Sequence, residues 1–137
     1  MSNGAADLHL LLVSPERRVL EEATDSVTLP ATDGYVTILP RHAPLIATLG
    51  VGVLTSRRKG RETSVVIVGG FFEVSDDRVT VLADETLTLE EIDVPAARRE
   101  LEEGRTALST AAGEEQRRAR RAIERAEAKL AVATQHS

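Results

Sequence analysis

Few residues in this 137-residue sequence could do chemistry, and their spacing is poor for it. Histidine occurs three times, at His9, His42 and His136, and cysteine is absent. No disulfide, thiolate metal site or cysteine nucleophile can form. The histidines lie far apart, and neither an acid/base dyad nor a metal-ligand spacing can be read around them. No catalytic residue and no metal site are therefore expected. Gly69-Gly70 precedes an extended run. It lacks the longer glycine pattern and helix N-terminus of a phosphate loop. A bulge or a close backbone approach is expected there instead.

Two other groups stand out. Pro40 and Pro44 flank His42; each fixes φ and removes a donor, so a rigid extended loop is expected. One reading of His42 is an imidazole that ties this loop together by hydrogen bonds. The other is a contact to a partner. Near the C-terminus Arg117, Arg121, Arg125 and Lys129 recur every four residues, which places four cations on nearly one helix face. They are either a solvated face, partly neutralised by Glu114, Glu124 and Glu127, or a docking strip for an acidic surface.

The elements that must carry these residues change character near residue 91. Before it, short β-branched runs at 9–13, 26–29, 35–39, 51–56, 63–68, 71–74, 79–83 and 86–89 are punctuated by turn residues. This is the pattern of a sandwich or barrel, mostly antiparallel because no crossover helix fits between the runs. Arg57-Arg58-Lys59-Gly60-Arg61 and Ser75-Asp76-Asp77-Arg78 read as hairpin turns with charged tips. After Glu91 the apolar period becomes helical. Asp93 is a good N-cap and Pro95 falls in the first turn. A stripe of Val94, Ala97, Leu101 and Leu108 is broken by Gly104, and 110–113 reads as a connection. A second helix, from Glu114 to about Thr134, carries Ala119, Ile123, Ala126, Leu130 and Ala133. An antiparallel helical hairpin follows. Its alanine-rich seam buries little area, so a hairpin that docks but can open is expected. Removing it should leave the strand region folded.

Composition narrows the classes further. The chain has 42% hydrophobic residues, enough for a core, but only three aromatics, Tyr35, Phe71 and Phe72. With a net charge of −5 and no stacking platform, nucleic-acid binding is not expected. The charge divides unevenly. Residues 1–91 carry 8 Lys/Arg against 14 Asp/Glu, whereas 92–137 carry 9 against 8. No apolar run reaches about 18 residues, so no transmembrane helix is expected. The segment MSNGAADLHL lacks the pattern of a secretory signal.

The run Ile38-Leu39-Pro40-Arg41-His42-Ala43-Pro44-Leu45 resembles the ILPxHAPL signature of the epsilon subunit of F-type ATP synthases. Asp33-Gly34, Gly69-Gly70-Phe71 through Val74, Val79-Thr80-Val81-Leu82-Ala83 and Glu91-Ile92-Asp93 resemble that family's text in the right order and spacing. The resemblance covers roughly residues 8–133. It implies an all-β N-terminal domain (1–91), a flattened antiparallel β-sandwich of about ten strands, then a regulatory helix-loop-helix domain (92–137). It implies a non-catalytic central-stalk subunit that helps couple proton translocation to ATP synthesis. The implied partners are the gamma subunit and the c-ring for the sandwich, and the alpha/beta catalytic hexamer for the helices. The helices would inhibit ATP hydrolysis when extended and permit turnover when compact. The implied place is peripheral, on the cytoplasmic face of the bacterial plasma membrane.

The resemblance also assigns candidate residues. Tyr35, Arg41 and His42 become candidate contacts to gamma or the c-ring. Thr37 and Arg41 stand where the family often has glycine, and Tyr35 where some relatives carry an acidic ring contact. Arg117, Arg121, Arg125 and Lys129 become a strip facing an acidic segment of the beta subunit. Some relatives bind ATP on the folded hairpin through an I/L-D-x-x-R-A motif. Here Asp93 and Ala97 match, Ala96 replaces the arginine, and Leu87 stands in place of an upstream acid. On the second helix Arg125 matches and Lys129 replaces an arginine. Each lost charge-assisted hydrogen bond is worth about 1.5–3 kcal/mol. No cofactor and no useful ATP binding are therefore expected, with Arg98 the one candidate substitute. Asp93 then serves as a helix cap.

Overall fold

The computed structural model describes residues 8–135; His136 lies outside them. Seven strands come first: β1 (Leu8–Val13), β2 (Arg18–Thr24), β3 (Ser26–Ala31), β4 (Gly34–Ile38), β5 (Leu45–Arg58), β6 (Arg61–Ser75) and β7 (Arg78–Leu87). They form one sheet in the order β2-β1-β7-β6-β5-β3-β4. All neighbours pair antiparallel except β1 and β7, which run parallel. A 3-10 turn (Leu89–Glu91) leads into α1 (Val94–Thr110) and α2 (Gly113–Gln135).

The sheet folds into a sandwich because its three long strands turn at one shared line. Leu49 pairs with Gly70 and Gly70 with Ala83; Val51 pairs with Val68 and Val68 with Glu85. Gly50, Gly69 and Asp84 lie between those pairs. On one side of this line Leu49, Phe72, Val74, Val79, Val81 and Ala83 face the main core. On the other, Val65, Ile67 and Leu54 take the core side, while Val51, Val53, Val66, Val68 and Leu87 face outward. The inward parity therefore flips in all three strands together. Side chains alternate with period two, so only a local change of backbone conformation can do this.

Gly69 and Gly70 supply that change, with φ of +71° and +120°. A Cβ on Gly70 would press on the Leu82 carbonyl oxygen and lie 2.8 Å from the Ala83 Cα. The register is unshifted across the pair, so the glycines permit a close backbone approach rather than an inserted bulge residue. The sheet thus has seven continuous strands; broken at the kink, the three long strands give six straight segments, which with the other four make the expected ten. The strand β2 and the first turnings of β5 went unforeseen, because RVLEEAT and the stretch after Pro44 lack clean alternation.

Among the helices, Asp93 caps α1, its Oδ1 accepting the Ala96 N–H at 3.1 Å, and Pro95 sits in the first turn. The seam between α1 and α2 buries Ala97, Gly104, Ala119 and Ala126. Gly104 does not break the stripe; it belongs to it. A Cβ there would come within 2.8 Å of Ile123 Cγ1, so the missing side chain sets how closely α2 approaches. The opposite face of α2 packs on the sheet through Ala128 and Val132, against Val66 and Val68. It is α2, not α1, that forms the main contact with β5 and β6. None of the described helices is long and apolar enough to cross a membrane.

Candidate interaction surfaces

Three surfaces carry the candidate residues. The first is the loop 39–44 between β4 and β5. Arg41 takes a φ of +66°, a region that costs a non-glycine residue about 1 kcal/mol or more. Its N–H donates to Asp77 Oδ1 at 2.7 Å, which pins the loop to the β6–β7 turn. The His42 N–H donates to the Leu39 carbonyl at 3.2 Å. The His42 ring places Nδ1 2.6 Å from the Ala43 carbonyl oxygen. The imidazole thus takes part in holding the loop, while the Arg41 side chain stays exposed. Tyr35 is anchored separately. It is 59% exposed, and its hydroxyl accepts the Val53 N–H at 2.9 Å. The structure brings Arg41 and His42 together and leaves Tyr35 on its own footing.

The second surface was not anticipated. Ile46 is 70% exposed and Phe71 46% exposed, although both lie in strands. Phe71 pairs with Thr48 on one side and with Leu82, also exposed, on the other; Ile46 lies one pleat along from Thr48. Phe71 and Leu82 are cross-strand neighbours and Ile46 lies diagonal to Phe71, opposite Glu73, so the three apolar side chains cluster on the outer face just past the kink. The stretch of outer face before the kink is covered by α2, and this one is not. An available signal was the run VVIVGGFFEV, apolar at both parities, which marks a strand with two apolar faces.

The third surface is α2. Of its four spaced cations, Arg125 reaches Glu85 of β7 with two hydrogen bonds: Nε to Oε1 at 3.0 Å, and Nη2 to Oε2. Lys129 is buried, and its Nζ donates to Glu100 Oε1 of α1 at 2.8 Å. Arg121 leans over Gly69 beside Asp84; both side chains lie within 3 Å of the place a Gly69 Cβ would take. Arg117 pairs with Glu114 on its own helix. The hydrogen bond from Arg125 holds the Glu85 carboxyl below its ordinary range and raises the Arg125 guanidinium in turn. Beside the helix start, hydrogen bonds from the Thr88 N–H and hydroxyl lower Glu91 similarly.

The residues matching the nucleotide motif are each engaged within the chain. Asp93 is engaged as the α1 cap, Ala97 is fully buried, and Leu87 packs beneath α2. Arg125 and Lys129 are held by carboxylates of the same chain. Among the described residues no group of three or more His, Asp or Glu side chains is arranged to hold a metal.

Comparison with known proteins fits this anatomy. The family model for the ATP synthase delta/epsilon chain β-sandwich domain matches residues 7–88, the strand region. The ATP synthase epsilon chain of Solibacter usitatus is 43% identical over 127 residues, covering 92% of this chain and 95% of that protein. That of Moorella thermoacetica is 43% identical over 130 residues, covering 93% and 97%. A chain in the mitochondrial ATP synthase of Euglena gracilis, solved with OSCP, F1 and the c-ring, superposes with a TM-score of 0.81. It is 27% identical, with 96% of this chain and 84% of that one covered. A chain of the Tetrahymena thermophila central stalk and c-ring shares the fold at a TM-score of 0.64 and 17% identity, with 96% and 99% covered. The chain belongs to the ATP synthase epsilon-chain family, the non-catalytic subunits of the rotor of that complex.

Proposed function

We propose that the sandwich binds a gamma subunit through the apolar patch of Ile46, Phe71 and Leu82, and that the adjoining loop contributes to the gamma and c-ring contact through Arg41 and His42. Tyr35 is assigned to the same interface as a separate contact. Residues 1–91 then form the part that transmits rotation, and 92–137 a regulatory hairpin. Extended, the hairpin would present Arg117, Arg121, Arg125 and Lys129 to an acidic surface of the alpha/beta hexamer and inhibit hydrolysis. The place of action would be peripheral, on the cytoplasmic face of a bacterial plasma membrane, as part of a proton-transporting complex.

The observation that carries this reading is the uncovered apolar patch. An uncovered cluster of large apolar side chains on a sheet face is the kind of surface that partner sites use. A polar loop beside it supplies the rim that interfaces have. Nucleotide is not assigned to the hairpin, because its two inner cations already have carboxylate partners. The test is co-purification of a tagged chain with a gamma subunit, followed by ATPase assay of the assembled complex with and without residues 92–137. Capture of gamma supports the sandwich assignment and failure of capture refutes it. Faster hydrolysis on truncation supports inhibition; an unchanged rate reduces the hairpin to a stabilising role.

A further inference from the structure

We infer that Glu85 and Glu100 act as an internal acidic decoy: they hold the basic stripe of α2 against the chain itself, so that the stripe reaches an acidic partner only when this latch opens. The inference rests on the reading of 92–137 as a movable hairpin.

The apolar contact of α2 with the sheet is thin. It consists of Ala128 and Val132 on Val66 and Val68, edged by half-buried Val51, Val53, Leu87, Leu89 and Ile92. An alanine methyl buries little area, so this layer alone gives modest hold. The polar part is better built. Arg125 meets Glu85 in a two-point, charge-assisted contact, with the Arg125 side chain only 29% exposed. Planar guanidinium against planar carboxylate is the geometry that makes such pairs strong and directional. Lys129 is 8% exposed and donates to Glu100. A lysine buried to that degree requires its partner, because an uncompensated charge there would be costly. Arg121 and Asp84 extend the row at the kink.

Three of the four cations spaced along α2 are thus turned toward carboxylates of β7 and α1. In the docked hairpin the Nε/Nη2 edge of Arg125 is taken by Glu85 and Lys129 is buried on Glu100, so neither can present that side to a partner carboxylate. Docking and partner engagement are therefore mutually exclusive uses of one set of charges. Among the described residues the outermost cation, Arg117, pairs with Glu114 of its own helix, and it is exposed. It is the member of the stripe able to make first contact with an acidic partner before the inner pairs exchange.

The chain has no native cysteine, so a spin-label pair can be placed cleanly at Thr63→Cys and Ala131→Cys. Both positions are exposed, and Ser64 lies beside the end of α2 through its hydrogen bond to Gln135. Distance distributions of the full chain, free and in the assembled complex, then report docked and detached hairpins. Glu85→Gln should raise the ratio of detached to docked species about tenfold. Raising salt from 0.05 M to 0.5 M should raise it in the parent and much less in the variant. The charge-swapped pair Glu85→Arg with Arg125→Glu should restore docking, which separates a latch from a general loss of folding. A detached population that ignores both Glu85→Gln and salt overturns the latch while leaving a movable hairpin intact. A hairpin that never detaches, alone or in the complex, overturns both.

Discussion

The apolar patch gives the sharpest test of the interface, through the paired substitution Ile46→Thr with Phe71→Thr. Both side chains point out of the sandwich, and threonine suits a strand, so the fold should lose little. A buried phenylalanine contributes on the order of 200 Å². With Phe71 46% exposed, about 90 Å² of it remains to be buried by a partner. Ile46, 70% exposed, offers about 120 Å². At about 25 cal/mol per Å² these areas correspond to about 2 and 3 kcal/mol. Binding realises only part of such a figure, because association and side-chain ordering oppose it. A loss of about 3 kcal/mol is expected, or roughly a hundredfold in Kd. Calorimetric titration of the purified chain with a gamma subunit reads this directly. A thermal melt of the free variant checks that its stability moves by less than about 1 kcal/mol. A folded variant that binds gamma within threefold of the parent would refute the assignment of the patch.

Three further expectations follow from the geometry. Gly70→Ala places a Cβ on the Leu82 carbonyl at a φ of +120°, so it should destabilise the sandwich by about 3 kcal/mol or more and lower Tm by roughly 10 °C; an unchanged melt would contradict the kink. Because docking lowers the Glu85 carboxyl below its ordinary value of 4.5, its contribution is complete above that pH and is lost as acid titrates the docked group. Hairpin docking should therefore be flat from pH 6 to 8 and weaken below about 4.5, and Glu85→Gln should flatten the acid limb. Titration of the free chain with ATP should show no micromolar binding, since Ala96 and Leu87 cannot supply the charges that the motif requires; tight binding with one-to-one stoichiometry would overturn this.

The sequence showed the change of period near residue 91 clearly, because strand and helix repeats differ and Asp93 with Pro95 marks the helix start. The helix boundaries and the Asp93 cap match the structure for that reason. Strand count was less legible. A kink that three strands share is a property of pairing, and nothing local in the 51–56 or 79–83 runs shows that Gly50, Gly69 and Asp84 will lie abreast. Gly104 misled for a similar reason: along one helix it looks like an interruption, and only the opposing Ile123 shows it to be a contact. The spacing of Arg117, Arg121, Arg125 and Lys129 was plain, but not their partners. Glu85 and Glu100 stand 40 and 29 residues away along the chain, and a solvated face or a docking strip would look the same in sequence. The patch at Ile46, Phe71 and Leu82 hid because apolar residues in strands are ordinarily assigned to the core.

The role assigned to this chain is to couple rotation to proton movement without performing chemistry. The most direct measurement is ATP-driven proton pumping by membrane vesicles whose complex has been stripped of the subunit and then resupplied with it. Pumping should fall sharply on removal while hydrolysis persists, and should return with the intact chain but not with the Ile46→Thr, Phe71→Thr variant. Pumping that is the same with and without the chain would contradict it.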